Sequence, residues 1–378
     1  MMHPVPAADQ GGLIPRRAGF SIAASLTLGT RTMRISRRRL VQAGTVAALA
    51  APPIVAQAAD TLTIAAYGGE YRDIMIRTVI EPFEKKFGVK VTYDDSGGVD
   101  PYPRIRASRG APGFDVAAEM VPATIILGAR ERMLLPITER EVPNIKYLWS
   151  GMSRLIPPNG LIQNYQYLAL IWNKNKVEAP TSWLDYWEAN KRYGEQVKGH
   201  LVAHSPANFT LAAYALIMGA RSKGGDETKM DEAWRLLAAQ KPYVGLAAAS
   251  SAQAVPFMEN EQVWIMPFWS GRSAIYASRG LPYGITVPKE GTIALGNCCA
   301  VPVGASNKQL ALEFLNFRLE PEIQRAFCLS YFSSPGRMDI SDWPADYAAT
   351  QITTDAKMET MLFPDEELIS CEQRNWTL

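Results

Sequence analysis

A strand, a helix and a second strand follow one another between residues 62 and 93, and no other feature restricts the fold as much. Leu62, Ile64 and Ala66 alternate with Thr63 and Ala65 in the period of a half-buried strand. The turn Tyr67-Gly68-Gly69-Glu70 follows, and then Ile76, Val79, Ile80, Phe83 and Phe87 recur at spacings of three and four, the stripe of an amphipathic helix. Gly88 supplies a helix stop, and Val89-Lys90-Val91-Thr92-Tyr93 reads as the next strand. Strands joined through a helix run parallel, which places the chain in the α/β class.

The same reading continues downstream. Phe114–Ala118 forms a third strand behind the turn at residues 110–113, and Tyr165–Asn173 a long apolar one. Further strands are expected at Leu201–Ala203, Gln262–Phe268, Tyr283–Val287 and Ala300–Pro302. Helices are expected from Ser182, over Leu211–Met218 and around Trp234 and Leu237. Ser306 and Gln309 are spaced as a capping box for a helix carrying Leu310, Phe314, Leu315 and Leu319, and Pro321 opens another. Trp183 and Trp187 lie four apart and read as core packing. No repeat or low-complexity tract interrupts this pattern.

Residues 1–59 stand apart. Ser36-Arg37-Arg38-Arg39-Leu40-Val41-Gln42 places an arginine pair before the apolar run Ala43 to Val55, and Ala56-Gln57-Ala58 supplies small residues at a cleavage site. This order is that of a twin-arginine export signal, with cleavage expected after Ala58 or Ala59. The run is shorter than the roughly 20 residues a spanning helix needs. Met33 lies three residues before Ser36, so translation is expected to start there.

Without residues 1–59, Lys+Arg falls from 39 to 32 and Asp+Glu from 37 to 36, so the mature net charge is −4 rather than +2. No basic cluster survives to meet a nucleic acid. Four cysteines remain, Cys298, Cys299, Cys328 and Cys371, and their spacing matches no zinc motif. An oxidising compartment permits one disulfide, and four free thiols are equally compatible with the spacing. No metal or other cofactor is expected.

Four stretches carry a family resemblance: Tyr67-Gly68-Gly69-Glu70-Tyr71, Thr181-Ser182-Trp183-Leu184-Asp185-Tyr186-Trp187, Phe268-Trp269-Ser270-Gly271-Arg272 and Val287-Pro288-Lys289-Glu290-Gly291. In that order the chain resembles the periplasmic substrate-binding proteins of ABC importers, in the spermidine/putrescine-binding branch. The resemblance implies a type II binding protein, with two α/β lobes joined by crossing strands and a hinged cleft that closes on one small solute. It implies a membrane permease as partner, a periplasmic location, a monomer and no enzymatic activity. The expected division is lobe 1 over 60–167, lobe 2 over 168–294, a return to lobe 1 over 295–322, and a C-terminal segment, 323–378, packed on lobe 2.

Candidate solute contacts follow from this frame. Tyr67, Gly68, Gly69 and Glu70 lie where a strand ends and a helix begins, the usual ligand position in parallel sheets. Trp269 offers a ring to an alkyl chain or cation, and Arg272 a fork for a carboxylate or phosphonate. Ser205, Asn208, Ser250, Ser251 and Asn297 would supply neutral hydrogen bonds. The chain departs from the polyamine binders at two places where the branch carries acids: here His204-Ser205-Pro206-Ala207-Asn208 and Leu295-Gly296-Asn297 hold none. Glu70 remains, with Glu119 as a second candidate carboxylate. This balance suits an ω-amino acid, an aminoalkylphosphonate or a monoamine better than a polyamine.

Two other readings have residues to test. A cysteine-dependent enzyme on this fold would use Cys298 or Cys299, with His204 as base. A ferric-iron binder would use Tyr165, Tyr167 and Tyr331, although no adjacent tyrosine pair occurs.

Overall fold

The computed structural model describes residues 61–96 and 100–363, and the strand–helix–strand unit forms as its spacing predicts. The export segment and Cys371 lie outside the described residues. Ten strands occur among the described residues: β1 (Thr61–Ala65), β2 (Lys90–Asp94), β3 (Val116–Met120), β4 (Leu161–Asn173), β5 (Leu201–His204), β6 (Val244–Ala248), β7 (Ile265–Trp269), β8 (Tyr283–Thr286), β9 (Ala294–Ala300) and β10 (Ser334–Pro335). Leu62 and Ile64 are buried in β1 while Thr61 faces solvent. The helix behind β1 runs through Glu70–Met75 and Glu81–Phe87, with one turn of π-helix between them, and Gly88 ends it in the left-handed region at φ 68°. β1 then pairs parallel with β2, Thr61 opposite Lys90.

Hydrogen bonding links the strands in the order β2-β1-β3-β9-β4-β7-β5-β6, with β8 and β10 also paired to β4. β4 is the hub. Its residues 161–167 pair with β9, and its residues 168–173 pair with β7 and β8. Two separate cores form around these halves. On one side, Leu62, Ile64, Phe83, Phe314 and Phe317 gather beneath helices on one face of β1–β3 and β9, while Ile105, Phe114, Ile125 and Ile162 pack on the opposite face. On the other side, Leu170, Trp183, Tyr214, Met218 and Phe268 form the second core. This is the expected two-lobed α/β architecture, and Trp183 and Trp187 are core residues, both nearly inaccessible.

Several local expectations need correction. Helix Lys308–Arg318 is capped by Asn307, whose side chain accepts from the Leu310 N–H, instead of by Ser306 and Gln309. A strand at residues 244–248 and helix Ser251–Glu259 have no counterpart in the sequence reading, because Val244-Gly245-Leu246-Ala247-Ala248 is neither alternating nor strongly apolar. The C-terminal segment packs mainly on the first lobe, and of its described residues Leu362 lies against the second core. Helix Pro321–Tyr331 lays Phe327 and Tyr331 against Tyr71, at ring-centroid distances of 5.8 and 5.1 Å, and Tyr347 joins the same first core. Apolar area decides its place, since Ile323, Phe327 and Cys328 share one helix face and are buried there.

Candidate functional site

The C-terminal ends of parallel strands supply the groups that line the cleft. From the first lobe these are the segment after β1 and that after β2; from the second they are the segments after β5, β6 and β7. The register of β5, parallel to both β6 and β7, puts His204 beside Ala248, and the Ser205 N–H donates to the Ala248 carbonyl at 2.9 Å.

Gly69 occupies φ 65° just before helix Glu70–Met75, a conformation that favours glycine. Gly68 lies against the Asp95 carboxylate, 3.3 Å from where a Cβ would stand. Tyr67 is half-buried, edge-on to Tyr71, and its carbonyl accepts from the Tyr93 hydroxyl at 2.5 Å. Glu70 is exposed and reaches the opposite lobe: Arg279 Nη2 donates to it at 2.9 Å, and Arg272 Nη1 stands 3.8 Å away. Arg272 belongs to helix Ser270–Ser278, which starts directly after Trp269, itself half-buried and edge-on to Tyr214. One carboxylate therefore sits between two guanidinium groups.

Helix Ser270–Ser278 approaches the first lobe very closely. A Cβ on Gly271 would stand 2.5 Å from the Phe332 carbonyl oxygen and under 3 Å from the Gln166 amide. Gln166 is buried on β4 and accepts the Gly271 N–H at 2.9 Å, satisfying one of the open donors of the helix start. Asn297 is buried on β9 directly opposite Asn164 on β4. Both side-chain heteroatoms of Asn164 lack a protein hydrogen-bond partner. Gln166 and Asn164 escaped sequence reading because both sit inside a strand that otherwise reads as continuous apolar core.

The remaining candidates differ in what they can offer. Ser250 is exposed and precedes helix Ser251–Glu259; the side chain of Ser251 lies outside the described part. The Asn208 amide lies 3.2 Å from His204 Nδ1, and His204 Nε2 lies 2.7 Å from the Pro267 carbonyl. Burial pushes the His204 imidazole down to about 4, so the ring is neutral at pH 7.

Glu119 corrects an expectation. It is fully buried on β3 instead of facing the cleft, and Arg318 Nη2 donates to it at 3.1 Å. Gln163 donates to the same oxygen at 2.6 Å; the Tyr71 hydroxyl donates to it as well and accepts from Arg318 at 2.9 Å. Burial pushes the Glu119 carboxyl up to about 7, with Arg318 and the hydrogen bonds pulling the other way. The fold thus favours the protonated acid, so its contribution to stability is complete below the ordinary carboxyl range and disappears as pH rises towards 7. Urea unfolding should accordingly show lower stability at pH 8 than at pH 5.5. Glu119→Gln should flatten that slope, and an unchanged slope in this variant would refute the assignment.

The other two readings lose their chemistry. Cys298, Cys299 and Cys328 are buried, and burial pushes Cys299 and Cys328 up to about 12, the reverse of an activated nucleophile. His204 bonds Pro267 and Asn208 instead of a cysteine. Tyr165 and Tyr167 are core side chains, and the Tyr167 hydroxyl donates to the Thr350 carbonyl.

Comparison with known proteins agrees with this geometry. The chain is 26% identical over 301 residues to the spermidine/putrescine-binding periplasmic protein of Escherichia coli, covering 76% of this chain and 80% of that protein. It is 22% identical over 288 residues to a gamma-aminobutyric acid-binding protein of Pseudomonas aeruginosa, covering 71% and 74%. An ABC transporter substrate-binding protein from Bradyrhizobium japonicum superposes with a TM-score of 0.71 at 19% identity, over 84% of this chain and 98% of the other. Residues 78–360 match the bacterial extracellular solute-binding proteins, and the chain belongs to that family.

Proposed function

We propose that the chain captures a small zwitterionic or amine-containing solute, an ω-amino acid, aminoalkylphosphonate or monoamine, and delivers it to the permease of an ABC importer. The observation that carries this reading is that the carboxylates around the cleft are already engaged. Glu70 holds Arg279 at 2.9 Å and Asp95 holds Arg72 at 3.0 Å, while Glu119 is buried away from the cleft against Arg318. Asp100 accepts the Tyr102 N–H and the Thr124 hydroxyl, each at 2.8 Å. A polyamine buries several ammonium groups, each of which needs an anion once desolvated. Glu70 between two arginines instead leaves positive charge over for a solute's carboxylate or phosphonate.

The lobes would divide near residues 167 and 294, the chain would act as a monomer, and the arginine pair at Arg37-Arg38 would direct export. N-terminal sequencing of the exported protein is expected to begin at Ala59 or Asp60; a start upstream of Ser36 would remove the export argument. Solute class is tested by thermal shift with 4-aminobutyrate, 2-aminoethylphosphonate, putrescine and spermidine. A ligand at one hundred times its Kd stabilises the folded state by about 2.7 kcal/mol. The zwitterions should raise the melting temperature by several degrees and spermidine should not. A shift with spermidine alone would return the chain to the polyamine binders.

A further inference from the structure

Asn208 immediately precedes helix Phe209–Ser222, at a position where an asparagine oxygen ordinarily accepts an N–H of the first helical turn. Here its side chain makes no such cap. It turns instead to His204, on the end of β5. The direction of its amide follows from what lies behind the imidazole. The Pro267 carbonyl, 2.7 Å from His204 Nε2, can only accept, so Nε2 carries the ring proton. Nδ1 of a neutral imidazole is then an acceptor, and the Asn208 atom 3.2 Å from it must be the amide NH2. The ring's ionisation agrees, since its burial opposes the cation that would make both nitrogens donors. The imidazole is held further by Phe268, parallel to it within 11° at 6.3 Å.

We propose that His204 is a positioning residue that fixes the Asn208 amide, so that Asn208 presents its oxygen as an uncharged acceptor to the ammonium group of the solute. The proposal rests on the capture of an amine-bearing solute argued above and names the group that reads the amine. A fixed amide oxygen accepts from an ammonium without adding a second charge to the cleft. It also discriminates, because an anionic group meeting that oxygen finds no donor. Half-buried Asn208 shares its sheet end with Trp269 of β7, so an amine held there would lie near that ring.

Two measurements on the full chain separate the orientation from the solute. The sequence holds three histidines, so long-range proton–nitrogen correlation spectra of histidine-labelled protein resolve them, with His204 assigned by its loss in His204→Gln. His204 should be the neutral Nε2–H tautomer at pH 7, and Asn208→Ala should shift its Nδ1 resonance. An Nδ1–H tautomer, or an Nδ1 signal indifferent to Asn208→Ala, would overturn the orientation whatever the solute. Calorimetry then uses 4-aminobutyrate as probe. Asn208→Ala should weaken binding about 10- to 100-fold, the range for a hydrogen bond to a charged group. His204→Phe should give a similar loss, and the double variant little more than either alone. Full additivity, or unchanged affinity in Asn208→Ala, would overturn the role in recognition. No binding by the wild-type protein to 4-aminobutyrate or putrescine would overturn the ammonium assignment together with the reading it rests on, with the tautomer result still deciding the orientation.

Discussion

Arg318→Met should lower the free energy of unfolding at pH 8 by about 3–5 kcal/mol, the usual cost of removing one partner from a buried ion pair. Arg318 and Glu119 are both essentially inaccessible, and the guanidinium also donates to the Tyr71 hydroxyl and the Ala118 carbonyl. Without it, Glu119 would lose the cation that offsets its burial and would have to take up a proton at pH 8 to stay inside β3, a strand buried along its whole length. Methionine fills much of the same volume, so the loss would report charge more than cavity. Adding Glu119→Leu to this variant should recover part of the loss, because a buried pair can often be replaced by apolar groups at little cost. Urea denaturation monitored by tryptophan fluorescence measures both effects. A loss below about 1 kcal/mol, the scale of an exposed pair, would show that the network is not sealed from solvent.

Gly271→Ala is expected to weaken binding without touching the solute. The added methyl would meet the Phe332 carbonyl at 2.5 Å and the Gln166 amide at 2.7 and 2.8 Å. A backbone carbonyl cannot rotate away as a flexible side chain can. Phe332 follows a helix of the first core, while Gly271 starts a helix behind β7 of the second. Separating the two lobes relieves the overlap, so the substitution penalises the closed arrangement more than an open one. Overpacking of this kind costs about 1–3 kcal/mol, or roughly 10- to 100-fold in affinity for any solute that requires closure. Calorimetry with a solute identified by thermal shift measures the change. Unaltered affinity, with the variant folded, would show that this contact does not belong to the bound form.

Much of the fold was legible because apolar spacing reports local structure. The stripe Ile76, Val79, Ile80, Phe83 and Phe87 announced its helix, and the pairing of β1 with β2 followed. The strand at 244–248 was missed because it lies at the sheet edge with only Ala248 buried, so its residues carry little apolar contrast. The site was legible in part. Trp269, Arg272, Glu70 and the Tyr67-Gly68-Gly69 turn stand at strand ends that the βαβ pattern already marks. Glu119 was misread because a strand's sequence does not say which face holds a cation, and Arg318 lies 199 residues away in the chain. Arg279 and Gln166 gave no local signal, since each acts through a contact across the cleft. His204 was considered only as a base, and its hydrogen bond to Pro267 depends on two strands meeting in space.

The position of β9 bears on the order in which the chain can assemble. β9 is inserted between β3 and β4, although more than 170 residues separate it from β3. Most of the second core comes from the contiguous stretch 168–293, so its contacts can form as soon as that stretch exists. The first core cannot close then. β1 to β3 must wait, with an open edge at β3, until β9 and the two helices behind it arrive to complete the sheet and cover it. Contacts so distant in sequence form slowly, and an exposed strand edge invites association with other chains meanwhile. The half of the protein made first is thus expected to be finished last, and a chain broken before residue 300 would keep a formed second lobe beside an unsealed first one.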